Sequence, residues 1–347
     1  MSTSTRQPAR LRVALGTFAA DGLLVPIGIF VILLAILIAF QPSILSGNQF
    51  QYVVLNSSIA LAAAAAGLSL VVLVGGLDLS SAGVIALVNA FLATQLGGSV
   101  GNQILLIFVA LVIGAIVGLI NGLIVVSFQL EPVVVTLGTG FVLGGLALLM
   151  LPVPQGLDAD AVGVVGWFTG TVGPFPVTGL ILLALAFGWI LLRRSRLGSS
   201  VMSVGSDSEA ANLAGINVNA TKVFAFTAAG VLYAFAGVML TSQTSGGDPS
   251  VGASYLLGSF AAVVIGGLSL TGGRGSLIGS LIGAMSLTIA VSVMFVIGVS
   301  SYWTYIARGL LLLIAVGAQA LAFVAARKWS MDVQPIGIDS PREGEDR

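Results

Sequence analysis

The chain has 347 residues, 57% hydrophobic and only 7% charged, with 13 Lys plus Arg against 13 Asp plus Glu and neither histidine nor cysteine. A mean hydropathy of +1.11 and a charged share far below the roughly 25% of soluble domains leave too little polar surface for a water-facing fold, so the sequence describes a membrane protein. Without His or Cys the chain has no Ser-His or Cys-His nucleophile pair, disulfide, haem attachment or zinc site of the usual kind, and its balanced charge gives no case for nucleic acid as a partner.

A bilayer core of about 30 Å takes roughly 20 apolar helical residues. Runs of that kind predict ten spans: Leu24 to Phe40, Tyr52 to Val74, Leu79 to Leu96, Ile104 to Phe128, Pro132 to Leu151, Val177 to Leu192, Lys222 to Leu240, Tyr255 to Leu270, Ser276 to Val299 and Thr304 to Ala325. The expected fold is an all-α membrane protein of about ten transmembrane helices with broken segments. Lys and Arg accumulate in cytoplasmic loops. Ten crossings with both termini cytoplasmic place every cation but Arg308 inside, and leave Asp158, Asp160 and Asp248 in the external loops. Residues 1–23 read as a cytoplasmic tail, 24–328 as the permeation domain and 329–347 as a polar tail.

Along the spans, Asn56, Ser57 and Ser58 enter the second, Asn89 lies in the third and Asn121 interrupts the fourth. Hydrocarbon cannot hydrogen-bond such groups, so they face a wet cavity or a neighbouring helix. A pathway lined by amides and hydroxyls suits a neutral polyhydroxylated solute; interhelical hydrogen bonding is the alternative. Asp78, with Ser80, stands in Gly75-Gly76-Leu77-Asp78-Leu79-Ser80-Ser81 and reads either as a cap on the third helix or as a solute contact. Gly114, Gly118 and Gly122 share a helix face, as do Gly275, Gly279 and Gly283, and predict close helix packing. Trp167 and Phe168, in the external stretch from Pro152 to Pro176, read as a docking surface or an interfacial anchor. Six residues from Gly75 to Ser80 are echoed by Gly266-Gly267-Leu268-Ser269-Leu270-Thr271.

Between the sixth and seventh spans, residues 203–217 predict a two-turn helix from Asp207 to Ala214. Ser206 with Glu209 fits a capping box and Gly215 fits the position past a helix end. So short a helix needs a surface to lie on, and Ala210, Ala211 and Ala214 permit close contact with a partner's groove or with the chain's own bundle. This segment resembles the coupling helix of membrane subunits of ribose-type ABC sugar importers, in which Glu-Ala-Ala is followed by Gly-Ile-Asn. Gly75 to Ser80 looks like the family's Gly-Gly-Ile-Asp-Leu-Ser. Glu131-Pro132-Val133-Val134-Val135-Thr136-Leu137-Gly138 is similar to its Gln-Pro-Phe-Ile-Ala-Thr-Leu-Gly, with Glu131 in place of Gln. Ala261 to Leu270 with Gly272-Gly273-Arg274-Gly275, and Gly298 to Tyr302, are similar to two further blocks. Leu256 and Gly258 stand where many members carry an acidic pair.

The resemblance implies a permease subunit in a bacterial inner membrane, carrying a sugar delivered by a periplasmic or lipid-anchored binding protein and pairing with a second copy or a related chain. It also implies ATPase subunits that carry the ATP and Mg. This chain is then not an enzyme and binds no cofactor itself, in keeping with the lack of a Gly-x-x-x-x-Gly-Lys-Ser/Thr loop. The expected ATPase contacts are Ser206, Asp207, Glu209, Ala210, Ala211 and Gly215. Permeases for nucleosides, branched-chain amino acids or a sugar-like signal are nearby alternatives, an autonomous carrier or channel is a rival of another class, and a membrane-bound enzyme is more distant.

Overall fold

The computed structural model describes residues 22–158 and 160–300, together with Trp303, Ile306, Gly309, Leu310, Leu313 and Gly317. The tails, Arg308 and most of the tenth predicted span lie outside the described residues. Each of the first nine predicted spans has a helix. In chain order these are α1 (Leu24–Phe40), α2 (Gly47–Leu73), α3 (Ser81–Gln95), α4 (Val100–Phe128), α5 (Pro132–Met150), α7 (Val177–Arg194), α10 (Val218–Thr244), α11 (Gly252–Ile265) and α12 (Leu277–Val296). Three further, shorter α-helices among the described residues lie between these: α6 (Val162–Phe168), α8 (Arg196–Ser206) and α9 (Ser208–Leu213).

Among the described residues six helices, α2, α4, α5, α7, α10 and α12, have the length and apolarity to cross a bilayer. At 1.5 Å per residue, α3 with 15 residues and α11 with 14 are about 22 and 21 Å long, short of the roughly 30 Å core. Glycine explains the shortfall. Gly75 and Gly267 adopt φ of +80° and +76°, the left-handed region open to residues without a Cβ, and turn the chain just before α3 and just after α11. α1, with 17 residues, is a third apolar helix shorter than the other six.

The core is built on α2 and α10. Ala60 and Ala62 to Ala66 of α2 are fully buried, as are Ala225, Ala229, Ala234 and Ala236 of α10. Small side chains let backbones approach, which is how helices associate where lipid is as apolar as the helix. The predicted ridge on α4 packs on α10 in antiparallel register: Gly114 lies against Gly230, Gly118 against Phe226, and Gly122 against Val223. On α12, Gly279 and Gly283 pack on the Gly266 and Ala262 backbone of α11. Gly275 departs from the predicted ridge; it precedes α12, has φ +116° and packs on Leu268. A left-handed residue cannot continue a helix.

Contacts sort the loops into two ends. At one, Gly75, Gly205 and Gly272 meet, and Gly22 approaches Gly267. At the other, the Gly98 N–H donates to Asp160 at 3.1 Å, and β1 (Gln155–Gly156) pairs antiparallel with β4 (Gly246–Gly247). A second small hairpin there joins β2 (Thr171–Val172) to β3 (Phe175–Pro176).

Candidate functional site

The polar residues singled out in the sequence fall into three clusters, each containing hydrogen bonds within the chain. The first surrounds the start of α2, where residues Gln51–Asn56 form a π-helical turn, a widening of the backbone common at functional positions. Asn56 donates through Nδ2 to the Thr169 carbonyl at 3.0 Å and accepts from the Thr178 hydroxyl at 2.7 Å. Gln51 donates to the Thr169 and Gly170 carbonyls at 3.0 and 3.1 Å, and the Gln243 amide donates to the Asn56 carbonyl. Ser57, which is exposed, and Ser58, which is buried, return their hydroxyls to the Tyr52 and Leu55 carbonyls.

Asn89 centres the second cluster. Its Nδ2 donates to the Thr241 hydroxyl at 2.8 Å and to the Gly246 carbonyl at 3.0 Å, while its Oδ1 accepts the Asp248 N–H at 2.8 Å. One amide thereby fixes the end of α10, strand β4 and the residue after it.

The third cluster lies where the Gly75 to Ser80 turn folds inward. Asp78 is 1% exposed and accepts both the backbone N–H and the hydroxyl of Ser80 through one oxygen, at 2.8 and 2.6 Å. Ser80 in turn accepts from Asn121 at 3.1 Å, and Asn121 accepts from Thr139 at 2.7 Å. Thr136 accepts the Leu79 N–H at 3.0 Å, so α4 and α5 are both tied to the turn. Tyr233 is fully buried nearby on α10, and its hydroxyl has no hydrogen-bond partner among the described residues. As a cap, Asp78 differs from expectation: its bonds go to Ser80, ahead of the first residue of α3, and α3 has no side-chain cap. A carboxylate two residues before a serine closes on that serine's N–H as a local turn before it can reach the helix.

These geometries are those of interhelical pins; a solute reaching Asn56, Ser58, Asp78, Ser80, Asn89 or Asn121 would have to displace existing bonds. Sequence reading missed the partners Gln51, Thr136, Thr139, Thr178, Thr241 and Gln243, and the separate pin Gln103. A signal was present in each, a polar group in or beside an apolar run, but pairing was not. Gln103, 2% exposed, shows the pattern: it donates to the Gly98 and Asp160 carbonyls at 3.1 and 2.7 Å and accepts the Val164 N–H at 3.1 Å. At the place of the acidic pair, Leu256 is half-buried, and a Cβ on Gly258 would stand 2.9 Å from the Leu61 side chain. An acid at position 258 would need Leu61 to move.

At the end opposite Asn89, α9 is exposed except for Ala211. Its N-cap is Asp207, whose carboxylate accepts the Glu209 and Ala210 N–H groups at 2.9 Å each. The expected capping box on Ser206 is therefore not formed: the cap is Asp207, and the residue three along is Ala210, which has no polar side chain to reach back. Ser206 remains the last residue of α8 and donates to the Met202 carbonyl at 2.9 Å, so its hydroxyl is engaged elsewhere. Gly215 closes the helix as expected with φ +83°. The Ile216 N–H returns to the Ala211 carbonyl at 3.0 Å, the longer bond of a Schellman motif. Ser208, Glu209, Asn212 and Gly215 to Asn219 line an open cleft of about 570 Å³ beside it. Trp167 and Phe168 sit at the other end on α6, ring centroids 5.7 Å apart and edge to face; Trp167 is 56% exposed, and α6 is held to α10 by the Ser242 hydroxyl on the Val165 carbonyl.

Residues 51–316 match the family described as the branched-chain amino acid transport system permease component, and the chain belongs to that family of multi-pass membrane permeases. Among its relatives is the ribose import permease protein RbsC of Haemophilus influenzae, 35% identical over 82% of this chain and 89% of the relative. The protein of that name from Bacillus subtilis is 34% identical over 85% and 93%. The galactose/methyl galactoside import permease protein MglC of Escherichia coli is 31% identical over 86% and 94%. No solved structure gives a significant match.

Proposed function

We propose that the chain is the permease subunit of a sugar-importing ABC transporter. The observation that carries this reading is the near full-length similarity to ribose and galactose import permeases; these relatives favour a sugar over the amino acid of the family description. Ten spans with both termini cytoplasmic, in a bacterial inner membrane, fit the charge distribution. Arg193, Arg194, Arg196, Lys222 and Arg274 belong to the end that carries α9, and Asp158, Asp160 and Asp248 to the other, as the preference of cations for cytoplasmic loops requires.

In this reading ATP and Mg bind separate ATPase subunits, which engage the exposed Asp207, Glu209, Ala210 and Gly215, while Ala211, 5% exposed, faces the chain's own bundle. The exposed, doubly capped α9 and the cleft beside it support that contact. A pathway between two copies, or between this chain and a related one, is supported by the way the polar groups inside a single copy bond one another. Gentle purification of the tagged chain from its native membrane should recover an ATPase with a phosphate-binding loop; recovery of the chain alone after mild cross-linking would favour an autonomous carrier.

Trp167 and Phe168 form part of the surface proposed to receive the solute-binding protein, supported by an exposed aromatic edge on a helix fastened to α10. The Trp167→Ala/Phe168→Ala pair should weaken binding-protein affinity about tenfold, as loss of an aromatic anchor does, measured on detergent-solubilised complex. Unchanged affinity would leave them as an interfacial anchor.

A further inference from the structure

The glycine turn at Gly75 and the loop at Gly272-Gly273, which follows the second copy of the echo, meet at a third glycine. In the last turn of α8, a Cβ on Gly205 would overlap the Leu73 carbonyl oxygen at the end of α2 and lie 2.6 Å from the Gly273 backbone nitrogen. That same Leu73 carbonyl accepts the Gly273 N–H at 3.1 Å. A Cβ on Gly272 would lie 2.8 Å from the Gly205 carbonyl oxygen and 3.0 Å from the Gly75 Cα. Gly75, Gly272 and Gly273 all have positive φ, +80°, +89° and +66°. Three backbones therefore touch with no side chain between them. One leads into the Asp78 turn and α3, one joins α11 to α12, and the third reaches Asp207, the cap of α9, two residues on.

We infer that Gly205 is a positioning residue for transport, fastening α9 to both interhelical turns so that the three move as one body. The inference rests on α9 being the ATPase contact. Direct backbone contact is stiff because close-packed groups transmit displacement, and no rotamer is free to absorb it. The Asp78 turn is bonded to α4 and α5 through Asn121 and Thr136, so a shift of α9 passed through this junction reaches helices that never touch it.

The chain has no cysteine, which allows spin labels at Ser199→Cys on α8 and Thr271→Cys, both exposed in the structure. In the complete transporter the distance between them should be unchanged between nucleotide-free and nucleotide-trapped states; a changed distance overturns the rigid junction. In parallel, Gly205→Ala should still co-purify the ATPase chain while solute-stimulated hydrolysis and uptake fall at least tenfold. Normal coupling in that variant also overturns the inference. If Gly205→Ala fails to accumulate, the label distance alone decides. A wild-type preparation without ATP-driven uptake would defeat the ATPase reading itself, whereas a responsive wild type with a yielding junction defeats only this inference.

Discussion

Gly118→Leu should leave almost no folded chain in the membrane, whereas Gly188→Leu should accumulate as the wild type does. The two substitutions are alike by every local measure. Each replaces glycine in a membrane helix with a residue that is better by nearly 1 kcal/mol in helix propensity and more favourable for insertion. They differ in what the new Cβ meets. At Gly188 on α7 nothing lies within 4 Å. At Gly118 on α4 it would overlap the Phe226 carbonyl oxygen of α10 and stand 2.9 Å from the carbonyl carbon and 3.0 Å from the Thr227 Cα. Backbone cannot rotate away as a side chain can, so α4 must withdraw along its length, which also separates Gly114 from Gly230 and Gly122 from Val223. Overpacking a core costs roughly 1–3 kcal/mol at a site that can adjust, and more where it cannot. The amount of monodisperse protein by size-exclusion chromatography in mild detergent, with its thermal midpoint, checks the pair. Equal recovery of both variants would mean that the α4–α10 contact is not what holds the bundle together.

What hydropathy revealed was length, and length was enough to find the helices. The third and eighth runs are α3 and α11, bounded by glycine turns at Gly75 and Gly267. What hydropathy could not reveal was registry. Asn89 and Gly246 are 157 residues apart in sequence, and no local pattern ties an amide in one apolar run to a carbonyl in another. Polar residues therefore stood out individually while their mutual bonds stayed hidden, which is why a pathway and a set of pins were equally good readings of Asn56, Asn89 and Asn121. The cap of α9 failed for a smaller reason. Ser206 and Asp207 both favour an N-cap, and only the extended backbone at Asp207, φ −161° and ψ 107°, decides between them. The echo of glycines at Gly75 and Gly266 carried the opposite lesson. It was visible in the sequence, but only Gly75 reaches the Gly205 junction; the other arm is Gly272 and Gly273, just past the second copy, while Gly266 packs on Gly279 and Ser280.

Asp207→Ala combined with Gly215→Val should abolish uptake while leaving insertion of the chain unchanged. α9 has six residues, far below the length at which a helix is stable in water, so its order depends on its two ends and on Ala211, 5% exposed. Loss of the Asp207 carboxylate strands the Glu209 and Ala210 N–H groups and costs about 1 kcal/mol. Valine at Gly215, where φ is +83°, adds about 1–2 kcal/mol for a side chain in the left-handed region. Together these lower the ordered population of α9 roughly 30- to 150-fold, at about 1.4 kcal/mol per decade. Glu209→Pro is the milder change, because position 209 is in the first turn and its N–H bonds only to Asp207; proline near a helix start is tolerated. The order of uptake should therefore be wild type, then Glu209→Pro, then the double variant. The co-purified ATPase should decline in the same order. A double variant that imports solute at the wild-type rate would show that an ordered α9 is not needed for coupling, and the ATPase contact would then have to be sought elsewhere on the face that carries Arg193, Arg194 and Lys222.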